Sequence, residues 1–392
     1  MNKIIINSSF ILLLFFINSF SFQHHNSFIK DFLKKEQLRV IKQADKFLNE
    51  KPVTITAFHC LRSKGNIHEY FSEGDYWWPN PDDPNGAYIR KDGFSNPNNF
   101  KKHRKALRRL SVIVPALVAA YKITHKKIYA QKAIEHLRAW FVTPKTMMNP
   151  NLLYSQAIKG ITNGRSIGII DGIHLVEVAK AIIVLQKMNS INKITLLKLK
   201  IWFNKFLIWL TTHNYGIKER DHGNNHSTCW AMQVAMFSKL TSNNKNLTFV
   251  RNFYKNNLLP NQMDTNGSFP KELARTKPYA YSIFNLDAMA MVCEITSTKN
   301  DDLWEYTTPN GKGIKKAFAF LFPFIKDKNK WPYKKDIMYW KDWPVRQPSL
   351  LLAAVHFNKP EYYEVWETLN PEPQKDEIIR NFPIRQPLLW IE

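Results

Sequence analysis

Two short stretches of the chain carry residue types able to move protons. The first is Asn224-Asn225-His226, which precedes an apolar-periodic run through Trp230, Val234 and Phe237. An Asn at that place can cap the helix, because its side-chain oxygen accepts from an orphan backbone N–H. Capping is also the plain structural use of Asn225. His226 then falls in the first helical turn, where an imidazole can exchange protons near neutral pH or simply be satisfied structurally. The second stretch runs from Lys271 through Glu272, Arg275, Lys277, Pro278 and Tyr281 to Ser282. Pro278 is expected to break regular structure, with a helical pattern beginning near Ser282. That leaves Arg275 in a loop, free or salt-bridged to Glu272. Tyr281 falls near a helix start, where the helix dipole favours a tyrosinate, unless it is an amphipathic core residue.

Other chemistries find less support. The chain has no Walker loop and no GxGxxG after a strand. His222 and His226 are four apart, but no HExxH accompanies them, so no metal is expected. Asp75, Asp82 and Asp83 could supply a glycosidase carboxylate pair. They lie in a Pro/Asn-rich stretch, where turn formation is the simpler use.

The elements that must position these residues read as helices. Leu107, Leu110, Val114, Leu117 and Tyr121 recur at helical spacing, as do Ala130, Ala133, Leu137 and Trp140. So do Leu175, Val178, Ile182 and Leu185, and Leu199, Trp202, Phe203, Phe206 and Leu210. Further helices are expected near 28–48, 226–240, 245–258, 282–297 and 312–325. Sustained strand alternation is hard to find, and no fixed-period repeat is present. An all-α fold follows, a solenoid or a closed helical toroid, in which each apolar stripe must meet a neighbour. Three stretches, 62–93, 143–171 and 216–225, leave the helical pattern and read as long site-forming loops.

The 392 residues include 56 Lys+Arg against 32 Asp+Glu, a net charge of +24. With 44% hydrophobic and 14% aromatic residues this is not a disordered chain. Cys60, Cys229 and Cys293 are too few for a disulfide framework. Met1-Asn2-Lys3, the apolar run Phe10–Ile17 and the small residues Ser19 and Ser21 read as a secretory signal over 1–21, ahead of one domain over 22–392. No later stretch is long and apolar enough to span a membrane, so no stable insertion is expected once the signal is removed. The protein is expected in the periplasm or secreted. The positive charge suits an anionic partner, although many lysines need only solvate helix faces. Export and the lack of finger, RRM or helix-turn-helix signatures speak against nucleic acid.

Four blocks in order resemble the alginate lyase superfamily of helical-toroid polysaccharide lyases. The first is Arg62-Ser63, His68 to Pro79 (HEYFSEGDYWWP) and Tyr88-Ile89-Arg90. The second is Met148 to Leu152 with Tyr154, Gln156 and Gly164-Arg165. The third is Asn224-Asn225-His226, and the fourth runs from Gly267 to Thr276 with Tyr281-Ser282 and Asn285-Leu286. They span roughly 53–296, and Lys330 to Tyr333 and Arg385-Gln386-Pro387 also fit.

The resemblance implies an incomplete (α/α) toroid with a deep cleft for an anionic polysaccharide, alginate or another polyuronate. The implied reaction is β-elimination at a uronate, without a cofactor, a metal or a water nucleophile. The proton on carbon-5 is a poor acid, and removing it builds charge on the adjacent carboxylate, which the site must stabilise. By resemblance, Asn225 and Arg275 do this, while His226 and Tyr281 supply base and acid. Tyr281 is the preferred acid; either residue could be the base, depending on whether mannuronate or guluronate is cleaved. Trp77 and Trp78 could stack on sugar rings, and Tyr88, Arg90, Tyr154, Gln156 and Arg165 could contact hydroxyls and carboxylates.

The chain departs from the pattern in two places. About 60 residues follow position 330, too few for the β-rich C-terminal domain of some relatives, so it resembles the single-domain form. Ser227-Thr228-Cys229-Trp230 stands where a Gly/Tyr-rich continuation is usual, a change expected to alter the cleft near His226. Competing readings are a lyase for another polyuronate such as glucuronan, a noncatalytic polyuronate-binding protein, and a toroid glycosidase.

Overall fold

Helices pack in two concentric layers. The structure, a computed structural model, describes residues 28–391. The signal segment expected over 1–21 lies outside them. In chain order the helices are α1 (28–45), α2 (Lys102–Thr124), α3 (Lys127–Phe141), α4 (Leu175–Lys187), α5 (Lys193–Thr212), α6 (Asn214–Arg220), α7 (Asn225–Thr241) and α8 (Asn244–Phe253). There follow α9 (Leu259–Gln262), α10 (Pro270–Leu273), α11 (Pro278–Thr296), α12 (Ile314–Lys326), α13 (Pro348–His356), α14 (Pro360–Thr368) and α15 (Asp376–Arg380). Helices α2, α4, α7, α11 and α13 neighbour one another in succession and form the inner layer. Helices α3, α5, α8, α12 and α14 pack outside them. This is the all-α, incomplete (α/α) toroid.

The burial pattern explains the layering. The apolar residues of α7 and α11 run around most of each helix, and nearly every side chain is buried. A helix apolar all round must sit inside. The outer α5 buries only the stripe seen in the sequence, Leu199, Trp202, Phe203, Phe206 and Leu210, and leaves Ile194, Leu197, Ile201 and Ile208 exposed. Its Phe203 and Phe206 meet Phe237 of α7 at ring-centroid distances of 5.2 and 5.5 Å. Each such buried ring contributes about 1.5–3 kcal/mol.

Helix α1 ties the last hairpin to the first. Phe32 packs edge-on to Trp366 at 5.8 Å, Tyr363 Oη donates to Asp31 (2.8 Å), and Tyr129 of α3 donates to Asp45 (2.6 Å). The C-terminal segment also crosses this seam. The backbone N–H groups of Arg385 and Gln386 donate to the buried Glu177 of α4 at 2.9 and 2.8 Å.

Several expectations are corrected in detail. Pro278 does not break the helix but opens it: at N1 its missing N–H is no loss, and α11 starts four residues earlier than expected. The next two N–H groups, of Tyr279 and Ala280, are capped by Asp336 at 2.9 and 3.0 Å. The stretch 216–225 is not all loop, because His213 Nδ1 accepts from Tyr215 N and starts α6. Gly216 is required there, since a Cβ would stand 2.0 Å from Leu210 O. The helix expected over 245–258 passes through a π-turn at Tyr254–Leu258 just before Pro260. The loops also hold short strands: β1 (Phe71–Glu73) pairs with β4 (Tyr154–Ala157) in parallel, and β2 (Trp77–Trp78) with β3 (Ile89–Arg90) antiparallel. Among the described residues no helix is long and apolar enough to cross a membrane.

Candidate active site

A cavity of about 480 Å³ opens where α7 and α11 begin and where the 3₁₀ run Ser166–His174 leads into α4. Asn225, His226, Arg275 and Tyr281 all line it. Helix N-termini carry unsatisfied N–H groups and partial positive charge, so this end of the toroid suits an anion.

On the α7 side the cap is Asn224, whose Oδ1 accepts from His226 N at 3.1 Å. Asn225 is thereby released from capping. Its backbone N and Nδ2 donate to Glu272 at 2.8 and 2.7 Å, which holds the amide against the cavity. His226 Nδ1 lies 2.7 Å from Glu219 Oε1 of α6. Glu219 is fully buried, and burial pushes its carboxyl up, with His226 pulling it back. Burial likewise raises Glu272, offset by Asn225 and Arg275. The His222 ring stands 4.8 Å from that of His226 and is pushed down to about 4 by desolvation and by that neighbour.

On the α11 side the charges are reversed. Tyr281 Oη hydrogen-bonds Tyr76 Oη at 2.8 Å. Tyr76 Oη also meets Lys277 Nζ (2.9 Å), Arg380 Nη2 (2.8 Å) and Glu377 Oε1 (3.0 Å). The Arg275 guanidinium stacks 4.5 Å from the Tyr281 ring, and its Nη2 donates to Asp92 at 3.2 Å rather than to Glu272. Burial raises the Tyr281 phenol above its ordinary value, while Lys277 and Arg275 work against the rise. Tyr281 is therefore a neutral phenol held beside cations.

The expected binding residues separate into two groups. Trp77, Arg90, Gln156 and Arg165 line the cavity. Arg165 donates to Gln156 O and Oε1, each at 3.0 Å, and lies 5.7 Å from the Trp77 ring. Trp78, Tyr88 and Tyr154 do not line it. Trp78 follows Trp77 in β2, so its side chain leaves on the opposite face, and its Nε1 donates to Phe94 O at 2.9 Å. Tyr88 sits in the irregular segment just before β3, under Lys159. Tyr154 packs on the small cluster of Cys60, Phe71 and Ala157. Ser227, Thr228, Cys229 and Trp230 are buried in α7, and none lines the cavity. Asp82 and Asp83 are exposed turn residues, whereas Asp75 is buried and ion-paired to Arg104 and Arg380, so no free carboxylate pair assembles.

Sequence reasoning missed Tyr76, Lys277, Glu219, Glu377, Arg380 and Asn381. Tyr76 stands inside the first block and Lys277 directly after Thr276 of the fourth, and no spacing separates either from its neighbours. Arg380 and Asn381, which line the cavity, and Glu377, which holds Tyr76, come from α15 and its end, about a hundred residues beyond the last block. No local pattern marks them.

Comparison with known proteins places this architecture. The family described as alginate lyase matches residues 54–331. The crystal structure of an alginate lyase from Bacteroides ovatus superposes with a TM-score of 0.77 at 31% identity, covering 89% of this chain and 92% of that one. Two variants of alginate lyase A1-III, each complexed with a tetrasaccharide, share the fold at a TM-score of 0.55 and 13% identity, covering 92% of this chain and 94% of theirs. A comparison with curated proteins gave no match. The matched segment carries Asn225, His226, Arg275 and Tyr281 together on one cavity, and the chain belongs to the alginate lyase family of polysaccharide lyases.

Proposed function

We propose that this lyase is exported and cleaves alginate or a related polyuronate by β-elimination, leaving a 4,5-unsaturated uronate at the new end. The observation that carries this reading is the convergence of an amide, an imidazole, a guanidinium and a phenol on one cavity bordered by Arg90, Arg165 and Arg380. Asn225 and Arg275 receive the uronate carboxylate and stabilise the charge that builds on it as carbon-5 loses its proton. Preorganised donors of this kind are worth several kcal/mol. Glu219 accepts from His226 Nδ1–H, which leaves Nε2 as the basic nitrogen. Tyr281, kept protonated by burial, gives its proton to the leaving oxygen on carbon-4.

The base follows the stereochemistry of the sugar. In guluronate the carbon-5 hydrogen and the carbon-4 oxygen lie on opposite faces, so His226 takes the proton and Tyr281 gives one. In mannuronate they share a face, and Tyr281 serves both steps: its phenolate, formed by prior loss of the phenolic proton to solvent and stabilised by Lys277, Arg275 and Tyr76, takes the carbon-5 proton and passes it to the carbon-4 oxygen. Export to the periplasm or beyond rests on the Met1–Ser21 pattern, and the net charge of +24 suits attraction of a polyanion. The test is the ultraviolet absorbance of the unsaturated product, with polymannuronate, polyguluronate and glucuronan offered separately. A rise on an alginate block is expected. No rise on any of the three, with binding retained, would overturn the reading in favour of a binding protein.

A further inference from the structure

A second, smaller cavity of about 60 Å³ lies behind the cleft and shares Asp75 and Arg380 with it. Its wall is the start of α2, where Lys101, Arg104, Lys105 and Arg108 fall on one face at helical spacing. The carboxylates nearby are largely committed. Asp75 is held by Arg104 and Arg380, and Glu377 by Lys277 and Arg380. Asp376 is 3.6 Å from Lys105. Arg108 and Lys101 are left without an ion pair among the described residues. Arg108 is only 7% exposed, its one hydrogen bond goes to the backbone oxygen of Asp376 at 3.1 Å, and its Nε has no partner. A buried guanidinium with so few acceptors is costly unless something fills the gap. The Lys101 ammonium is also held below its usual value, by burial first and then by Arg104, Lys105 and Arg108, against the pull of Asp376.

We propose that this cavity binds one small oxyanion group between Lys101, Arg108 and the first turns of α2. The volume is roughly four times what one water needs, enough for a phosphate or a carboxylate and too small for a sugar ring. The positive end of the α2 dipole adds to the attraction. The group is either a free inorganic anion or a carboxylate reaching in from a bound polyuronate. Because Arg380 borders both cavities and touches Tyr76, the bound anion sits one side chain from the Tyr76–Tyr281 pair.

The experiment titrates the mature protein with inorganic phosphate by calorimetry, in chloride-free buffer of low ionic strength. One site per chain is expected, weakened at least tenfold in Lys101→Gln and in Arg108→Gln but not in the remote Lys198→Gln. Lys101 is half-buried and tolerates change, so K101Q decides the matter should R108Q fail to fold. This arm stands whether or not the lyase reading does. A second arm rests on that reading and measures K101Q kinetics on polyuronate: a raised KM at unchanged kcat, without phosphate binding, assigns the group to the polymer. Phosphate binding equal in wild type and both variants overturns the proposal. So does no phosphate binding together with an unchanged KM.

Discussion

The two walls of the cleft are built on opposite electrostatic plans. The α6–α7 wall sets its imidazole and amide on two buried carboxylates, Glu219 and Glu272. The α11–α15 wall sets its phenol among Lys277, Arg275 and Arg380, with a second phenol between. A carboxylate behind an imidazole fixes its tautomer and orients the ring. Cations around a phenol favour the phenolate that an acid must become. On the proposed mechanism, each wall thus prepares its own group for proton transfer.

The largest effect should come from the phenol wall. Tyr281→Phe is expected to lower kcat by about 10³–10⁴-fold on mannuronate and guluronate blocks alike, while polymer binding, followed by gel retardation, stays within a few-fold. Full activity of that variant would remove Tyr281 from the chemistry. The imidazole wall should be selective. His226→Ala is expected to cost about 10²–10⁴-fold on guluronate blocks and no more than roughly tenfold on mannuronate. Equal losses on both would mean that the two walls always act as one unit. Glu219→Gln should be milder, a loss of about 10–100-fold in kcat on guluronate with KM little changed and a displaced acidic limb of the pH–rate profile. A loss without displacement of that limb would make Glu219 structural only.

The smallest effect lies away from both walls. His136 of α3 is 2% exposed, and burial pushes it down to about 4, its Nε2 having no partner. Its folded value lies below the unfolded one, so the unfolded chain binds the proton first as pH falls from 6.5 towards 4, and stability drops in that window. His136→Gln should reduce the fall in Tm across it by roughly 3–5 °C relative to wild type, measured by scanning calorimetry. An identical Tm profile would place the titration elsewhere.

Legibility in the sequence followed the range of the interactions. Stripes such as Leu107, Leu110, Val114, Leu117 and Tyr121 were legible because helical burial is a local period, and these residues are buried in α2. Asn225 and Tyr281 are legible because a cap candidate and the onset of an apolar period mark the helix starts beside them. The start of α11 is hidden because an isolated proline reads as a helix stop, though at N1 a proline begins a helix. The partition of Trp77 from Trp78 depends on a two-residue strand whose pairing with Ile89 and Arg90 no local pattern announces. Glu377 and Arg380 were invisible because their meaning comes from Asp75 and Tyr76, some three hundred residues upstream.

That separation bears on when the protein becomes active. The inner helices α2, α4, α7 and α11 can pack from contacts made early in the chain. The tyrosine pair is framed only when α15 returns to the loop between β1 and β2, and the same C-terminal stretch fastens the toroid's seam through Glu177. Contacts spanning such distances close long loops, at an entropic cost that the packed seam must offset. Turnover therefore requires the C-terminal stretch to be in place, and activity reports on the seam as well as on the cleft.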